Sequence, residues 1–189
     1  METMNPVRIC IPRVPIVLIV AFVVGCCCLA LGQHSHRSEQ SHFSAEDEAV
    51  NKPAPIPADV MAILRNDKTV RGALEDQKIE PEKIPPSWFS ASQIHLSATS
   101  RTDLIVVGQP PVTGGNVTIF LVFRATLHGH ELIMDAAPAH DLEVKNERWN
   151  GLRNIELAST SAVQYSSVLC RFDGKKYAVY RRKSAPTGK

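Results

Sequence analysis

Val117 to Phe123, reading VTIFLVF, is apolar on both of the faces a β-strand can present. Side chains alternate sides along a strand. Val117, Ile119, Leu121 and Phe123 therefore point one way, and Phe120 and Val122 the other. A strand of that kind is central in its sheet and covered on both sides. The chain must supply two covers, and the upstream segment is the natural source of one.

That segment opens at Pro57-Ala58-Asp59 with helical period. Val60, Ile63 and Leu64 share a face, and Asp59 suits the amino end of a helix. Val70, Ala73, Leu74 and Ile79 predict a second short helix after a break at Asn66-Asp67, and Pro81, Pro85 and Pro86 close the region. Trp88-Phe89 is expected to pack the start of a sheet against these helices.

Beyond Trp88 the period changes from that of a helix to that of a strand, with turn signals at the spacing of an antiparallel β domain. Ile94 and Leu96 alternate with polar neighbours, and Leu104–Val107 is a short apolar run. Thr113-Gly114-Gly115-Asn116 should join that run to the strand at Val117 as an antiparallel pair. Leu132–Met134, Leu142–Val144, Ile155–Leu157 and Val163–Phe172 add further strands. Asp173-Gly174 between alternating runs predicts a two-residue turn that pairs Phe172 with Lys175 and Cys170 with Tyr177. The expected fold is α+β: an antiparallel β-meander of about six to eight strands with one or two short amino-terminal helices. It occupies residues 58–183, and 184–189 are expected to be a disordered tail.

The apolar run Val14 to Leu31, VPIVLIVAFVVGCCCLAL, gives the domain its address. As an anchor it only just reaches the roughly 18 residues needed to span hydrocarbon. As a secretory signal it has a basic start at Arg8 and Arg13 and small residues at Ala30 and Gly32. The basic flank precedes the run, so either reading puts residues 33–189 outside the cytoplasm. The protein is expected to be membrane-anchored, or secreted after cleavage within residues 1–32. Val23-Val24-Gly25-Cys26 resembles the bacterial lipobox, which implies lipid attachment at Cys26 as a third fate.

Residues 33–57 are rich in His, Ser, Glu and Pro and read as a disordered linker, unable to bury enough surface to offset its ordering entropy. Of five cysteines only Cys170 falls in the domain, so no internal disulfide is expected there. The formal net charge is +2, which gives no footprint for nucleic acid. Charge is unevenly placed, however. Arg171 to Lys189 hold seven basic residues against Asp173 alone, read as a strand edge protected by Lys and Arg.

Asp103-Leu104-Ile105-Val106-Val107-Gly108, the Gly114-Gly115-Asn116 turn and the closing Phe-Asp-Gly-Lys-Lys-Tyr resemble small bacterial secreted or membrane-anchored β-meander proteins of unassigned function, similar to one blade of an FG-GAP propeller. The resemblance runs from Trp88 to Tyr180 and implies a fold, not an activity. The alternating Asp residues of the FG-GAP calcium loop are absent, so no metal role carries over.

His128-Gly129-His130, with His140 further on, is the most suggestive constellation for chemistry. Such imidazoles can bind zinc, although a hairpin tip is the simpler reading. Gly-x-Ser-x-Gly, a phosphate-cradling glycine loop, Cys-x-x-Cys and His-Glu-x-x-His do not occur. Trp149 is expected to act as a lid on the core. The reading favoured is a non-enzymatic module without cofactor that binds or inhibits an envelope protein or cell-surface component. The alternative is a small hydrolase or metal-binding protein using His128, His130 and His140.

Overall fold

The computed structural model describes residues 39–99, 101–114 and 116–187. The run Val14–Leu31, and with it Cys26, lies outside the described residues. Among those described, no helix is long and apolar enough to cross a membrane.

In chain order the elements are β1 (His42–Ser44), α1 (Ala58–Asn66), α2 (Lys68–Asp76), β2 (Phe89–Ile94), β3 (Asp103–Gly108), β4 (Thr118–Thr126), β5 (Gly129–Ala139), β6 (Asp141–Trp149), β7 (Leu152–Thr160), β8 (Gln164–Phe172) and β9 (Tyr177–Pro186). Two 3₁₀ turns, Pro81–Lys83 and Pro86–Trp88, connect α2 to β2. One sheet has the order β2-β3-β4-β5, and the other β1-β6-β7-β8-β9. Every strand pairing is antiparallel. The fold is α+β and mostly β, as its alternating pattern predicts.

β4 lies in the interior of the four-stranded sheet with both faces buried. Ile119, Leu121 and Phe123 join Val60, Leu64, Val70, Leu74, Trp88 and Phe89 in one core. Phe120 and Val122 join Ile105, Leu142, Ile155 and Phe172 in another. The helices therefore cover one face of the four-stranded sheet and the five-stranded sheet covers the other. Asp67 ends α1 and starts α2, its carboxylate accepting from the N–H groups of Thr69 and Val70 at 2.9 and 3.2 Å.

Four expectations need correction. Residues 39–57 are not a linker outside the domain. Phe43 is 1% exposed, and β1 pairs with β6 as an edge strand of the larger sheet. Glu39 bonds the His95 N–H at 2.6 Å and the Arg153 guanidinium at 3.1 Å. A few anchors suffice where average composition suggests disorder. At the other terminus β9 continues to Pro186, opposite Gln164, beyond the boundary expected at residue 183.

The β8–β9 turn is displaced by one residue. The Asp173 N–H donates to the Lys176 carbonyl at 2.9 Å, which centres the loop on Gly174-Lys175. The Asp173 carboxylate accepts from the N–H groups of Lys175 and Lys176, both at 2.8 Å, and so holds Asp173 at the first turn position. Phe172 pairs with Tyr177 and Cys170 with Val179. The shift is by two residues along β9, so Phe172, Cys170 and Tyr177 still share a face. A bulge beyond Cys170 then places Arg182 opposite Val168.

The fourth correction concerns Trp149. It is the last residue of β6 and 49% exposed, not a lid on the core. Asn150-Gly151 after it, with φ of 47° and 82°, forms the tight β6–β7 turn in the left-handed conformation that Asn-Gly favours.

Candidate functional site

The three histidines singled out by the sequence are not brought together. His128 lies in the turn between β4 and β5 and His130 at the start of β5, the hairpin tip expected for them. His140 follows the far end of this eleven-residue strand, roughly 30 Å away at the ordinary rise per residue. Among the described residues no group of His, Cys, Asp and Glu is arranged to hold a metal ion.

Each histidine end has local work instead. The Asp59 carboxylate accepts from the His130 N–H at 2.7 Å and contacts its Nδ1 at 2.9 Å, tying α1 to β5. The His130 side-chain hydrogen bond holds the Asp59 carboxyl below its usual range. His140 lies between Asp141 at 3.0 Å and Glu46 at 3.3 Å. Its hydrogen bond with Asp141 outweighs burial and raises its pKa above the usual histidine value.

A different cluster stands on the outer face of the five-stranded sheet. The Arg171 guanidinium of β8 lies 3.5 Å from the Tyr180 ring centroid and 4.7 Å from that of Trp149. The cation is thus within cation–π distance of two aromatic rings. Among the described residues Arg171 has no hydrogen-bond or ion-pair partner. Asn154 follows on β7, one step from the Ile155–Cys170 pair, and its buried Oδ1 is likewise without a protein partner.

Charge around the cluster is positive. Arg181 and Lys183 of β9 pair with Leu169 and Ser167. The acid opposite Leu169 is Glu156, which is occupied by Lys145 at 2.7 Å. That Lys145 bond, more than the approach of Lys183, holds the Glu156 carboxyl down. Among the described residues β9 is the last strand in the sheet order and pairs with β8 only, so its outer edge carries backbone groups unpaired within them. Val179 and Tyr180 are 51% and 57% exposed.

At the end of the sandwich a cleft of about 700 Å³ is lined by Asp103, Arg124, His128, Asn150 and Phe172 among others. Asp103 and Arg124 are committed to the fold, while Arg101, also in the lining, is exposed and has no hydrogen-bond or ion-pair partner among the described residues. Asp103 is buried and accepts from the N–H groups of Leu96 and Ala125 at 3.1 and 2.9 Å, while burial pushes its carboxyl up. Arg124 pairs with Glu131 at 2.6 Å and stacks 5.2 Å from the Phe172 ring centroid.

No family model matches the chain, and no curated protein or solved structure matches it. The site therefore rests on geometry. Trp149 and the basic carboxy-terminal run stand apart in the sequence. The register of β8 against β9 is what joins them, since it sets Tyr180 beside Arg171.

Proposed function

We propose that the chain is a non-enzymatic extracytoplasmic binding or inhibitory module, attached to the membrane by its amino-terminal segment or released from it by cleavage. Its recognition surface is the Trp149–Arg171–Tyr180 face with the adjoining edge of β9, and its partner is an acidic envelope protein or cell-surface component. The observation that carries this reading is the Arg171 guanidinium, close to two exposed aromatic rings and without a hydrogen-bond or ion-pair partner among the described residues. Trp, Tyr and Arg dominate the energetics of protein interfaces because each brings large area at modest ordering cost. A guanidinium already stacked loses little freedom on binding, and its edge still donates to a carboxylate in a bidentate manner.

Arg181 and Lys183 extend the positive field along the open strand, which favours an acidic partner and opposes self-pairing of β9 with a second copy. Capture from envelope extract by the full chain, run beside the Arg171→Glu and Tyr180→Ala variants, tests the reading. A partner retained by the wild type and lost from both variants supports it. A partner held equally by all three overturns it.

A further inference from the structure

The two sheets are unequal. The four-stranded sheet ends at β5, while β8 and β9 continue the opposing sheet. Between β5 and the inner face of β7, β8 and β9 lies a groove of about 350 Å³. This is within the roughly 300–1,000 Å³ usual for small-molecule sites. Its floor is apolar, with Met134 and Ala137 from β5, Leu157 from β7, Val168 and Cys170 from β8 and Val179 from β9.

From this groove we infer a second binding site, for an aliphatic carboxylate whose chain lies on the apolar floor and whose headgroup meets Arg182. It is independent of the outer face, because Arg182 lines the groove. The charges select the headgroup. Asp135, the lining acid, is neutralised by Lys176 at 3.0 Å. Arg182 also lines the groove and has no hydrogen-bond or ion-pair partner among the described residues. The uncompensated charge is therefore positive and lies beside an apolar surface.

The shape of β5 disfavours an added peptide strand as the occupant. Phe120 pairs with Ala137 and Val122 with Met134, so two β5 residues bulge opposite Leu121 alone. Pro138 follows without an N–H to donate. A bulge and a proline together interrupt the regular ladder that strand addition needs. An alkyl chain makes no such demand, since apolar burial is non-directional. Cys170 at the floor, its thiol pushed up by burial, stays neutral and adds no competing charge.

Cys170 also serves as the reporter. The full-length chain is treated with N-ethylmaleimide, and labelling is read by mass spectrometry on the peptide containing Cys170, so the amino-terminal cysteines do not interfere. The probe is dodecanoate below its micelle-forming concentration, with dodecanol and acetate as controls for headgroup and tail. Dodecanoate should slow Cys170 labelling in a saturable manner, and neither control should do so at the same concentration. Protection is read relative to each protein's own unliganded rate, because the Arg182 charge favours the Cys170 thiolate and Arg182→Glu should itself slow unliganded labelling. It should raise the dodecanoate concentration for half-protection by about tenfold, the worth of one charge-assisted contact. Equal protection by dodecanol, no protection by dodecanoate, or protection indifferent to Arg182→Glu would each overturn the proposal.

Discussion

Asp59, the second residue of α1, and His130, the second residue of β5, are joined by two contacts, of 2.7 and 2.9 Å, to one carboxylate oxygen. The glycine between the two histidines makes that pairing possible. Gly129 has φ of +124°, and a Cβ there would meet the Asp59 carboxylate at 2.5 Å. His128-Gly129-His130 is thus a latch between the helical layer and the sheet, and the spacing that suggested a metal site has a structural cause.

Gly129→Ala is expected to destabilise the fold by about 1–3 kcal/mol, through backbone strain and loss of the latch. Part of that loss should return in an Asp59→Ala background, where the clashing carboxylate is gone. Urea denaturation of the two single variants and the double variant measures the coupling. Strict additivity would show that Asp59 and Gly129 do not interact.

Phe43→Ala should cost about 3–5 kcal/mol, as truncation of a fully buried phenylalanine does. The measurement is again the denaturation midpoint. A variant with wild-type stability would return residues 39–57 to the status of a linker.

Arg153→Ala should cost about 3 kcal/mol. The Arg153 side chain donates to the carbonyls of Lys145 and Val144 at 2.7 and 3.0 Å and reaches Glu39 at 3.1 Å. These bonds satisfy the irregular part of β6, where the register against β7 slips between Val144 and Arg148. Hydrogen exchange should rise in β6 and near Glu39 before it rises in β3 or β4.

His140 sets a pH dependence with a definite sign. Its pKa is raised in the folded chain, chiefly by Asp141 and further by Glu46. A group of that kind contributes stability that is fully present below its unfolded value of about 6.5 and lost as pH rises through the raised folded value. The wild type should therefore lose more thermal midpoint between pH 6 and pH 9 than His140→Asn does. Parallel loss in the two proteins would remove His140 as the cause.

Phe172→Asp places a charge in the core beside Tyr177, whose ring centroid lies 6.0 Å from that of Phe172. The variant should lose its cooperative thermal transition, because a buried unpaired carboxylate costs several kcal/mol. An unchanged transition would mean that this end of the hairpin does not face the core.

Much of the architecture was legible because it depends on local pattern. The two apolar faces of residues 119–123 required layers on both sides, and the period of residues 58–79 supplied one of them. Val117, expected on the same face as Ile119, lies before β4 and is 38% exposed. Trp88 and Phe89 packed where their position before the first long strand suggested. The turns were legible only in part. Asp173-Gly174 marked a hairpin, but the carboxylate of Asp173 captured two N–H groups and moved the loop along by one residue. Asn150-Gly151 marks a loop in the sequence and forms a tight turn, but the exposure of Trp149 beside it depends on the sheet and not on the turn.

The place of residues 39–57 in the domain is hidden in the sequence for another reason. Phe43 and Val50 are isolated apolar residues with no period, and the β6 residues that receive β1 lie about a hundred positions later. The recognition face has the same character. Trp149, Arg171 and Tyr180 come from three strands and meet only through register and a bulge.

What the sequence alone determined is the layering: which segments are helical, which are strands, and which strand both layers must cover. These follow from burial and period, which act over a few residues. Tertiary structure alone decided the use of the polar residues. It set His130 on Asp59, left Arg171 stacked without an acceptor, and placed Arg182 over an apolar groove. Such pairings are directional contacts of about 3 Å between distant positions, and no local pattern encodes them.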